Sequence, residues 1–556
     1  MKAIDYFGTE KASLSGFCSF CKKNSPLVIS ATMALFFTYG CKLFWYTIGV
    51  DTERYMAGSR TLFWDEQETI LFWGGLGRFG LIVFQKLWYI KEFNPYTAFF
   101  TAFCFIWLFT ISWCYIIAVF SKNTNRNNRF IPFALLFMTA PIWAEQFYFV
   151  CQAAEVSCIV FLCPYVIYLL YSGFLENKRK KIIVAFMLLI FMTSVYQGIV
   201  PLFCCGVFAC FLILYENSDY EQSVYHLLCL KLFLILIASL IAYTFLDYFF
   251  VTVVFNTEKV KYFSSLLKNS SKQNIINLLL YGYTITIGAT PLIQNVAEPI
   301  MARFARSGMQ AAKHITAISR ISGNPLALPL VILFIIEIVK TTSWAHFSKK
   351  KYLYILAGIS VPVSIIILPV LQGGTLVIRG QFVLPFALSF MLFFLMKKYK
   401  KIASSMVWFL ALITAVYNAE LTAQLFYSDY IRYQSDIHLA MDIDKEVTPL
   451  QDDTKSIPVA LIGKYKLTFK NNFISGEALG NSSFAWASQG FYESTRHGLP
   501  FMQSLGINYN LPDERLMNQA RTAAASMPSY PASGSVKRLP DVIVVKLSDS
   551  TYVEIK

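Results

Sequence analysis

Charged residues are scarce in this chain. They make up 15% of its 556 residues, whereas soluble domains carry about 25%. Hydrophobic residues reach 56%, aromatic residues reach 17%, and the mean hydropathy is +0.51. This composition excludes an ordinary soluble domain and places the chain among the integral membrane proteins.

Acidic residues are fewer than basic ones, which gives a net charge of +15. The basic excess does not indicate nucleic-acid binding, because it lies in short runs between apolar stretches, as in the cytoplasmic loops of membrane proteins. From Ser428 to Lys556 the chain has 13 Lys and Arg against 14 Asp and Glu, so this part is nearly neutral. We expect membrane lipids as partners and no nucleic acid.

Cysteine is absent from the C-terminal part, since all twelve cysteines lie between Cys18 and Cys229. An exported region without cysteine needs no disulfides, which is ordinary for a bacterial envelope protein. Cys18 and Cys21 form one C-x-x-C motif without a second pair, which is a weak metal signal. The glycine motifs of nucleotide-binding folds are also missing. We therefore expect no nucleotide cofactor and predict no metal site, and the sequence leaves the metal requirement open.

Long apolar runs dominate the first 427 residues. A helix needs roughly 20 apolar residues to cross the hydrocarbon core, and about eleven runs approach that length. The predicted spans cover residues 26–48, 95–120, 130–148, 150–174, 182–197, 198–215, 227–250, 326–345, 352–371, 381–396 and 402–427. We therefore predict a polytopic α-helical membrane protein with a transmembrane domain over residues 1–427.

The distribution of Lys and Arg predicts the orientation. With the N-terminus inside, the short inner segments hold nineteen of these residues and the short outer segments hold six. Positive residues concentrate on the cytoplasmic side of membrane proteins. We expect a cytoplasmic N-terminus, an extracytoplasmic C-terminus and a location in the bacterial cytoplasmic (inner) membrane.

Two long segments lie between spans on the predicted outer side. The first covers residues 49–94, and its part from Glu68 to Phe93 mixes apolar and polar residues as an interfacial helix does. The second covers residues 256–325, and its apolar middle, 275–293, leaves a re-entrant segment open.

The third outer segment is residues 428–556. Its runs Ile457–Ile462 and Asp541–Lys546 are typical of buried strands, and helical stretches lie between them. We therefore predict a small extracytoplasmic α/β C-terminal domain.

The first outer segment contains the candidate catalytic residues. It begins with Asp51, Glu53 and Arg54 directly after the first span and continues through Asp65 to Arg78. A carboxylate can take the proton from an acceptor hydroxyl, and an arginine can neutralise the charge that grows on a departing phosphate. This pattern favours transfer from a phosphate-linked donor, with Asp51 as the catalytic base.

Further polar residues lie on the same predicted side. Arg379 occupies a short outer loop where a lipid headgroup would arrive, so we predict that it binds the donor phosphate, together with Arg78 and Arg54. Aromatic rings can stack on the apolar face of a sugar, and amides and carboxylates can bond its hydroxyls. The predicted sugar- or acceptor-binding residues are Glu53, Asp65, Glu145, Gln146, Tyr196 and Gln197.

Several short motifs follow one another along the chain. They are Asp51 with Arg54, Gly77-Arg78, Tyr196-Gln197, Arg379, Arg432-Tyr433-Gln434-Ser435-Asp436, Tyr530-Pro531, Gly534-Ser535-Val536 and Val544-Val545-Lys546-Leu547. In this order the chain resembles, over nearly its whole length, the bacterial membrane glucosyltransferases that modify O-antigen and cause serotype conversion. That family often has two adjacent acidic residues after the first span, whereas Thr52 follows Asp51 here.

The resemblance implies a C-type glycosyltransferase fold. It implies undecaprenyl-phosphate-glucose, a polyprenyl-phosphate-linked sugar, as donor and a lipid-linked O-antigen repeat or polymeric glycan as acceptor. It also implies that a small multi-span flippase and a separate synthase supply the donor.

Other functions stay open from the sequence. A polysaccharide polymerase or ligase would also use outer arginines, but it would act on diphosphate-linked glycan. A transporter or flippase of lipid-linked sugar would favour internal repeats and broken spans in matching halves, and no such symmetry is found. The donor distinguishes the two enzyme classes: a glucosyltransferase uses a single sugar linked to a monophosphate, whereas a polymerase or ligase uses a diphosphate-linked glycan.

Overall fold

The computed structural model describes most of the chain. The described residues are 4–8, 11–57, 73–88, 93–218, 220–256, 324, 326–341, 351–371, 378–399, 402–454, 456–465, 467 and 473–552. Asp65, the segment 275–293 and nearly all of the outer segment 256–325 therefore lie outside the described residues.

Helices form the membrane part. In chain order they are α1 (Leu14–Lys23), α2 (Ser25–Phe44), α3 (Thr52–Ala57), α4 (Phe79–Trp88), α5 (Pro95–Phe120), α6 (Phe130–Thr139), α7 (Ile142–Tyr148), α8 (Val150–Leu175), α9 (Arg179–Val195), α10 (Ile199–Glu216), α11 (Gln222–Phe249), α12 (Ala327–Thr341), α13 (Tyr352–Leu371), α14 (Val383–Lys398) and α15 (Ile402–Val447). A short π-helical stretch, Phe250–Val254, continues α11, and a 3₁₀ turn, Ile378–Gly380, precedes α14.

Every predicted span overlaps a helix in its described part, and the span 130–148 overlaps two, so the chain is a mostly helical membrane protein. Among the described residues, six helices are long and apolar enough to cross a membrane, and α6 with α7 makes a seventh if this pair, bent by 48°, is one span. The other predicted spans coincide with α9, α12, α13 and α14, which do not reach that length or apolarity over the described part of the chain. The number eleven therefore stays a prediction.

Local sequence sets several helix ends. Asn94 caps α5, because its side chain accepts a hydrogen bond from the backbone N–H of Thr97 at 3.0 Å, and Pro95 occupies the first turn, where a missing N–H costs nothing. Pro141 lies between α6 and α7, where the axis bends. In the described part of the segment from Glu68 to Phe93 the chain forms helix α4, which packs against α9. Its location at the membrane interface stays a prediction.

The last membrane helix is much longer than a bilayer is thick. With 46 residues, α15 extends for about 69 Å at roughly 1.5 Å per residue, against about 30 Å of hydrocarbon. It runs without a break across residue 428, where the sequence predicts a domain boundary. Its second half packs against the C-terminal region, so one continuous helix joins the two parts.

The C-terminal region contains a three-stranded sheet with the order β1-β3-β2. Strand β1 (Val459–Ile462) pairs parallel with β3 (Ile543–Lys546), and β2 (Val536–Arg538) pairs antiparallel with β3. Both β1 and β3 are buried throughout, as predicted. The helices α16 (Thr495–Ser504) and α17 (Glu514–Ala524) lie between these strands in sequence.

Side chains alternate across this sheet. Val459 and Leu461 point to the layer formed by α15 and α16, whereas Ala460 and Ile462 point to α17. A parallel strand pair needs apolar cover on both faces, and these two helix layers supply it. Residues 428–556 thus contain both strands and helices in the described structure. A separate extracytoplasmic α/β domain stays a prediction.

Candidate functional site

The loop between α2 and α3 is held closely against α7. The backbone N–H of Val50 donates to the hydroxyl of Tyr148 at 3.2 Å. At Gly49 an added Cβ would lie 2.8 Å from the carbonyl oxygen of Tyr148, so only glycine fits there. Asp51 follows with φ of +67°, and its carbonyl accepts the first hydrogen bond of α3, from Tyr55.

Asp51 therefore has a backbone conformation that most side chains avoid. Non-glycine residues rarely adopt positive φ, although Asp and Asn do so more often than others. Such a conformation costs about 1–3 kcal/mol and persists only where the surroundings fix it. The tight packing at Gly49 and Val50 fixes it here, and the carboxylate is half-buried at the start of α3.

A buried chain of alternating charges holds the same loop from the other side. Arg432 of α15 donates to the carbonyl oxygen of Ile48 at 3.0 Å. It pairs with Asp429 at 2.6 Å and with Asp436 at 3.2 Å, and Lys42 of α2 lies 3.5 Å from Asp429. All four side chains are almost fully buried. Removal of one partner from such a pair typically costs 3–5 kcal/mol, so this network fixes the position of the loop strongly.

Glu53 of α3 bonds a residue of the C-terminal region. Its Oε1 lies 2.7 Å from Nδ1 of His497 in α16, and both side chains are buried. Burial raises the pKa of the Glu53 carboxyl to about 8 and lowers the pKa of His497 to about 3. Arg54 is also buried, and its charge acts on both members of the pair.

Arg78 lies among aromatic rings at the end of the first outer segment. Its guanidinium is 5.1 Å from the ring centre of Trp73 and 4.6 Å from that of Tyr196, and Nη1 donates to Gln152 of α8 at 2.9 Å. Burial lowers the pKa of Arg78, and the nearby charge of Arg379 lowers it further. No carboxylate of the described residues lies within ion-pair distance of Arg78.

Gln197 positions the turn that carries Arg78. Its side-chain amide donates to the carbonyl oxygens of Leu76 and Gly77 at 3.1 and 3.2 Å, and to the hydroxyl of Tyr243 at 2.8 Å. Gly77 has φ of +76°, and a Cβ there would lie 2.6 Å from the same hydroxyl. The Gly77-Arg78 and Tyr196-Gln197 motifs therefore form one structural unit, with the Gln197 amide engaged by this turn.

Arg379 and Glu145 both contact the C-terminal region. Arg379 pairs with Glu477 at 3.1 Å and lies 4.4 Å from the ring centre of Phe149. The carboxylate of Glu145 accepts hydrogen bonds from the backbone N–H groups of Glu477, Ala478 and Leu479, at 2.7, 3.0 and 3.3 Å. These contacts attach the loop around residue 478 to α7.

We expect Glu145→Gln to loosen this loop. Hydrogen bonds to a charged group contribute about 1.5–3 kcal/mol each, and an amide nitrogen of Gln would face N–H donors that need an acceptor. Limited proteolysis should therefore cleave near residue 478 at least several-fold faster than in the native chain. The exposed Glu446, changed to Gln, is the control. An unchanged cleavage rate in Glu145→Gln would contradict this role.

Gln146 differs from its neighbour Glu145. It is fully buried, and neither its amide oxygen nor its amide nitrogen has a hydrogen-bond partner among the described residues. A buried amide without partners costs free energy, so its polar atoms are available to a polar ligand. The described residues contain no group of three or more His, Cys, Asp or Glu that could hold a metal ion.

The predicted residues converge on the first turn of α8. Asp51 and Arg78 both lie close enough to Cys151 for their charges to interact with it, the next residue, Gln152, bonds Arg78, and Arg379 packs on Phe149 just before the helix. The structure thus brings Asp51 near Arg78 and Arg379, and two further carboxylates, Glu53 and Glu155, also act on Cys151. Asp65 lies outside the described residues.

Sequence reasoning missed three functional contacts. His497 and Asp429 were not among the candidates, and the Glu145 carboxylate bonds protein backbone. Arg432 and Asp436 were recognised as a motif, without a role. No local sequence signal marks His497, because its burial against α3 becomes visible only in the fold.

Comparison with known proteins gives one clear relationship. Residues 40–396 match the family model described as Glucosyl transferase GtrII. No curated protein and no solved structure matches the chain. The family match covers more than half of the chain, including Asp51, Arg78, Tyr196 and Arg379, and the sequence resemblance to serotype-converting glucosyltransferases is thereby confirmed. The chain belongs to the GtrII glucosyl transferase family.

Proposed function

We propose that the protein is a membrane glucosyltransferase that moves glucose from a polyprenyl-phosphate carrier to a hydroxyl of an O-antigen or similar surface glycan. The reaction takes place on the outer face of the cytoplasmic membrane. Family membership supports glycosyl transfer. The convergence of Asp51, Arg78 and Arg379 on the first turn of α8 supports the donor chemistry.

The donor phosphate binds between Arg78 and Arg379. The charges of the two guanidinium groups repel each other, and a phosphate between them offsets this repulsion. Guanidinium binds phosphate oxygens through paired N–H groups. The first turn of α8 adds backbone N–H groups without intrahelical partners and the positive end of the helix dipole. Arg78 is the stronger candidate, because Arg379 already pairs with Glu477.

The transferred sugar lies beside Tyr196 and Gln146. Tyr196 contacts Arg78 with one face and lies 5.4 Å from the ring of Phe382, so it forms an aromatic wall next to the phosphate site. The partnerless amide of Gln146 can bond a sugar hydroxyl. Gln197 and Glu145 support this site through the turn and the loop that they hold.

Asp51 acts as the general base. It removes the proton from the acceptor hydroxyl while the oxygen of that hydroxyl attacks the anomeric carbon of the sugar. The bond from this carbon to the phosphate oxygen breaks, and polyprenyl phosphate leaves with its new charge stabilised by the arginines. A single displacement of this kind inverts the anomeric centre and needs one carboxylate.

The C-terminal region, residues 428–556, forms the extracytoplasmic domain that helps to hold the acceptor glycan. Its loop at residue 478 contacts Arg379 and Glu145, so an acceptor bound there would lie close to the donor. The proposal also includes a C-type glycosyltransferase fold for the membrane part. It further includes a synthase and a flippase that supply the donor.

The direct test supplies the purified protein with polyprenyl-phosphate-glucose and an acceptor glycan, and follows the product by mass spectrometry. A mass increase of one hexose on the acceptor is the expected result. Transfer from a diphosphate-linked glycan alone would identify a polymerase or ligase. Movement of the lipid-linked sugar across a vesicle membrane without transfer would identify a transporter.

We expect a reporter fused after Lys556 to read as exported and a reporter fused at Lys180 to read as cytoplasmic. The reason is the excess of Lys and Arg in the predicted inner segments. Paired alkaline phosphatase and fluorescent-protein fusions measure the two locations. If both fusions read as cytoplasmic, the number of spans is even and the proposed outer face of the reaction is wrong.

A further inference from the structure

Gln85 of α4 is a buried amide that bonds two other helices of the candidate site. Its Oε1 accepts a hydrogen bond from the hydroxyl of Tyr55 in α3 at 3.0 Å. Its Nε2 donates to the carbonyl oxygen of Cys151 in α8 at 2.6 Å. The side chain is 5% exposed. One side chain thus joins α3, α4 and α8 where the candidate residues converge.

Gln85 is a polar residue on an apolar face. Leu81 and Ile82 lie on the same side of α4, four and three residues earlier, and both are buried. Burial of an amide costs free energy unless its polar atoms are bonded, and an apolar side chain would fill this volume without that requirement. The carbonyl of Cys151 can only accept a hydrogen bond, so the amide nitrogen faces α8 and the oxygen faces Tyr55. The amide therefore makes a directed connection between helices.

The two helices that Gln85 joins carry the main candidate residues at their N-terminal ends. Asp51 directly precedes α3, and its carbonyl accepts a hydrogen bond from the backbone N–H of Tyr55 at 3.1 Å. Arg78 directly precedes α4, and its carbonyl accepts from the N–H of Leu81 at 3.0 Å. Gln85 follows Arg78 by about two turns at 3.6 residues per turn, so it lies on the same side of α4. The bond from Tyr55 to Gln85 therefore sets the orientation of α3 relative to Arg78.

On the basis of the proposed function, we propose that Gln85 is a positioning residue of the transfer site, which holds the carboxylate of Asp51 in place relative to the donor phosphate bound at Arg78. Helix α3 has six residues, and a helix this short takes its orientation from tertiary contacts. Its packing against α16 connects it to the C-terminal region. Gln85 connects it to α4 and α8, the side on which the phosphate binds.

Gln85→Met is expected to lower kcat at least about tenfold, because a displacement of about 1 Å can cost about 100-fold in rate. Methionine keeps the unbranched shape of glutamine and fills the same space, whereas both hydrogen bonds are lost. Donor affinity should stay close to the native value, since Gln152 and the turn bonded by Gln197 still hold Arg78. Steady-state kinetics measures kcat, and equilibrium binding of polyprenyl-phosphate-glucose without acceptor measures the affinity and the number of binding sites.

Tyr55→Phe breaks the same connection from the other end and should lower kcat to a similar extent. The double variant, Tyr55→Phe with Gln85→Met, should lose no more than either single variant, since both act on one contact. It removes the donor together with its acceptor, so its thermal midpoint should be closer to the native value than that of Gln85→Met. Recovery of kcat along with stability in the double variant would show a merely structural role and would overturn the proposal. The exposed Gln519 of α17, changed to Met, is the matched control.

A second measurement does not depend on transfer. Hydrogen–deuterium exchange of the backbone in residues 52–57 should be faster in Gln85→Met than in the native protein, because α3 loses a contact to α4. Exchange in α17, which packs on the sheet of the C-terminal region, should not change. Unchanged exchange in α3, or native kcat in Gln85→Met, would overturn the proposal. Faster exchange in the variant, combined with no transfer from polyprenyl-phosphate-glucose by the native protein, would instead refute the proposed function, while the connection between α3 and α4 would stand.

Discussion

Asp51→Asn is expected to reduce turnover at least about 100-fold while donor binding is retained. General-base catalysis contributes about 10²- to 10⁴-fold, and an amide cannot take the proton from the acceptor hydroxyl. Asn also tolerates the positive φ that the structure requires at this position. The substitution therefore removes the chemistry and leaves the backbone in place, whereas Ala would add strain at the same residue.

The measurement compares kcat and donor affinity of purified variants at equal membrane abundance. Asp453→Asn, an exposed aspartate of the C-terminal region, is the matched control and should behave as the native protein. Asp65→Asn and Glu53→Gln test the two rival carboxylates. Native turnover in Asp51→Asn would move the base to one of these rivals. A loss of about 100-fold in Glu53→Gln together with native turnover in Asp51→Asn would assign the base to Glu53.

Much of the membrane part was predictable because apolar runs are strong local signals. The runs at 95–120 and 150–174 coincide with α5 and α8 to within one residue. The strands at Ile457–Ile462 and Asp541–Lys546 were predictable for the same reason, since both faces are covered by helices. Local pattern does not define how far a helix continues into water, so the extension of α15 past residue 428 was not foreseen.

The candidate site was predictable only in its parts. Asp51, Arg78 and Arg379 were selected because a carboxylate and arginines in outer segments suit transfer from a phosphate-linked donor. Their arrangement around α8 depends on tertiary packing, which the sequence does not encode at short range. Glu145 shows this limit. As a carboxylate at an outer turn it was predicted to bind a sugar or the acceptor. In the structure its oxygens accept three hydrogen bonds from the backbone of a loop more than three hundred residues away in sequence.

Tertiary packing also changes which arginine is the stronger candidate for binding the donor phosphate. From the sequence, Arg379 was the first candidate because of its isolated outer loop. In the structure it pairs with Glu477, which partly neutralises it. Arg78 has only the neutral oxygen of Gln152 and two aromatic rings as described partners. An arginine held in place by neutral groups keeps its full charge for a phosphate.

Arg78→Lys is therefore expected to lower kcat/KM for polyprenyl-phosphate-glucose at least about 100-fold, the usual scale for loss of one donor that stabilises developing charge. Lysine keeps the charge but loses the planar group that bonds Gln152 and stacks on Tyr196.

Arg379→Lys should have a smaller effect, because Glu477 already shares its charge. Steady-state kinetics with varied donor measures both, and Arg538→Lys, an exposed arginine of β2, is the control. If both arginines bind one phosphate, the double variant should lose less than the product of the two single losses. If the loss of kcat/KM in the double variant equals the product of the two single losses, the two arginines do not share one phosphate. A normal donor KM and kcat in Arg78→Lys would likewise show that the phosphate binds elsewhere.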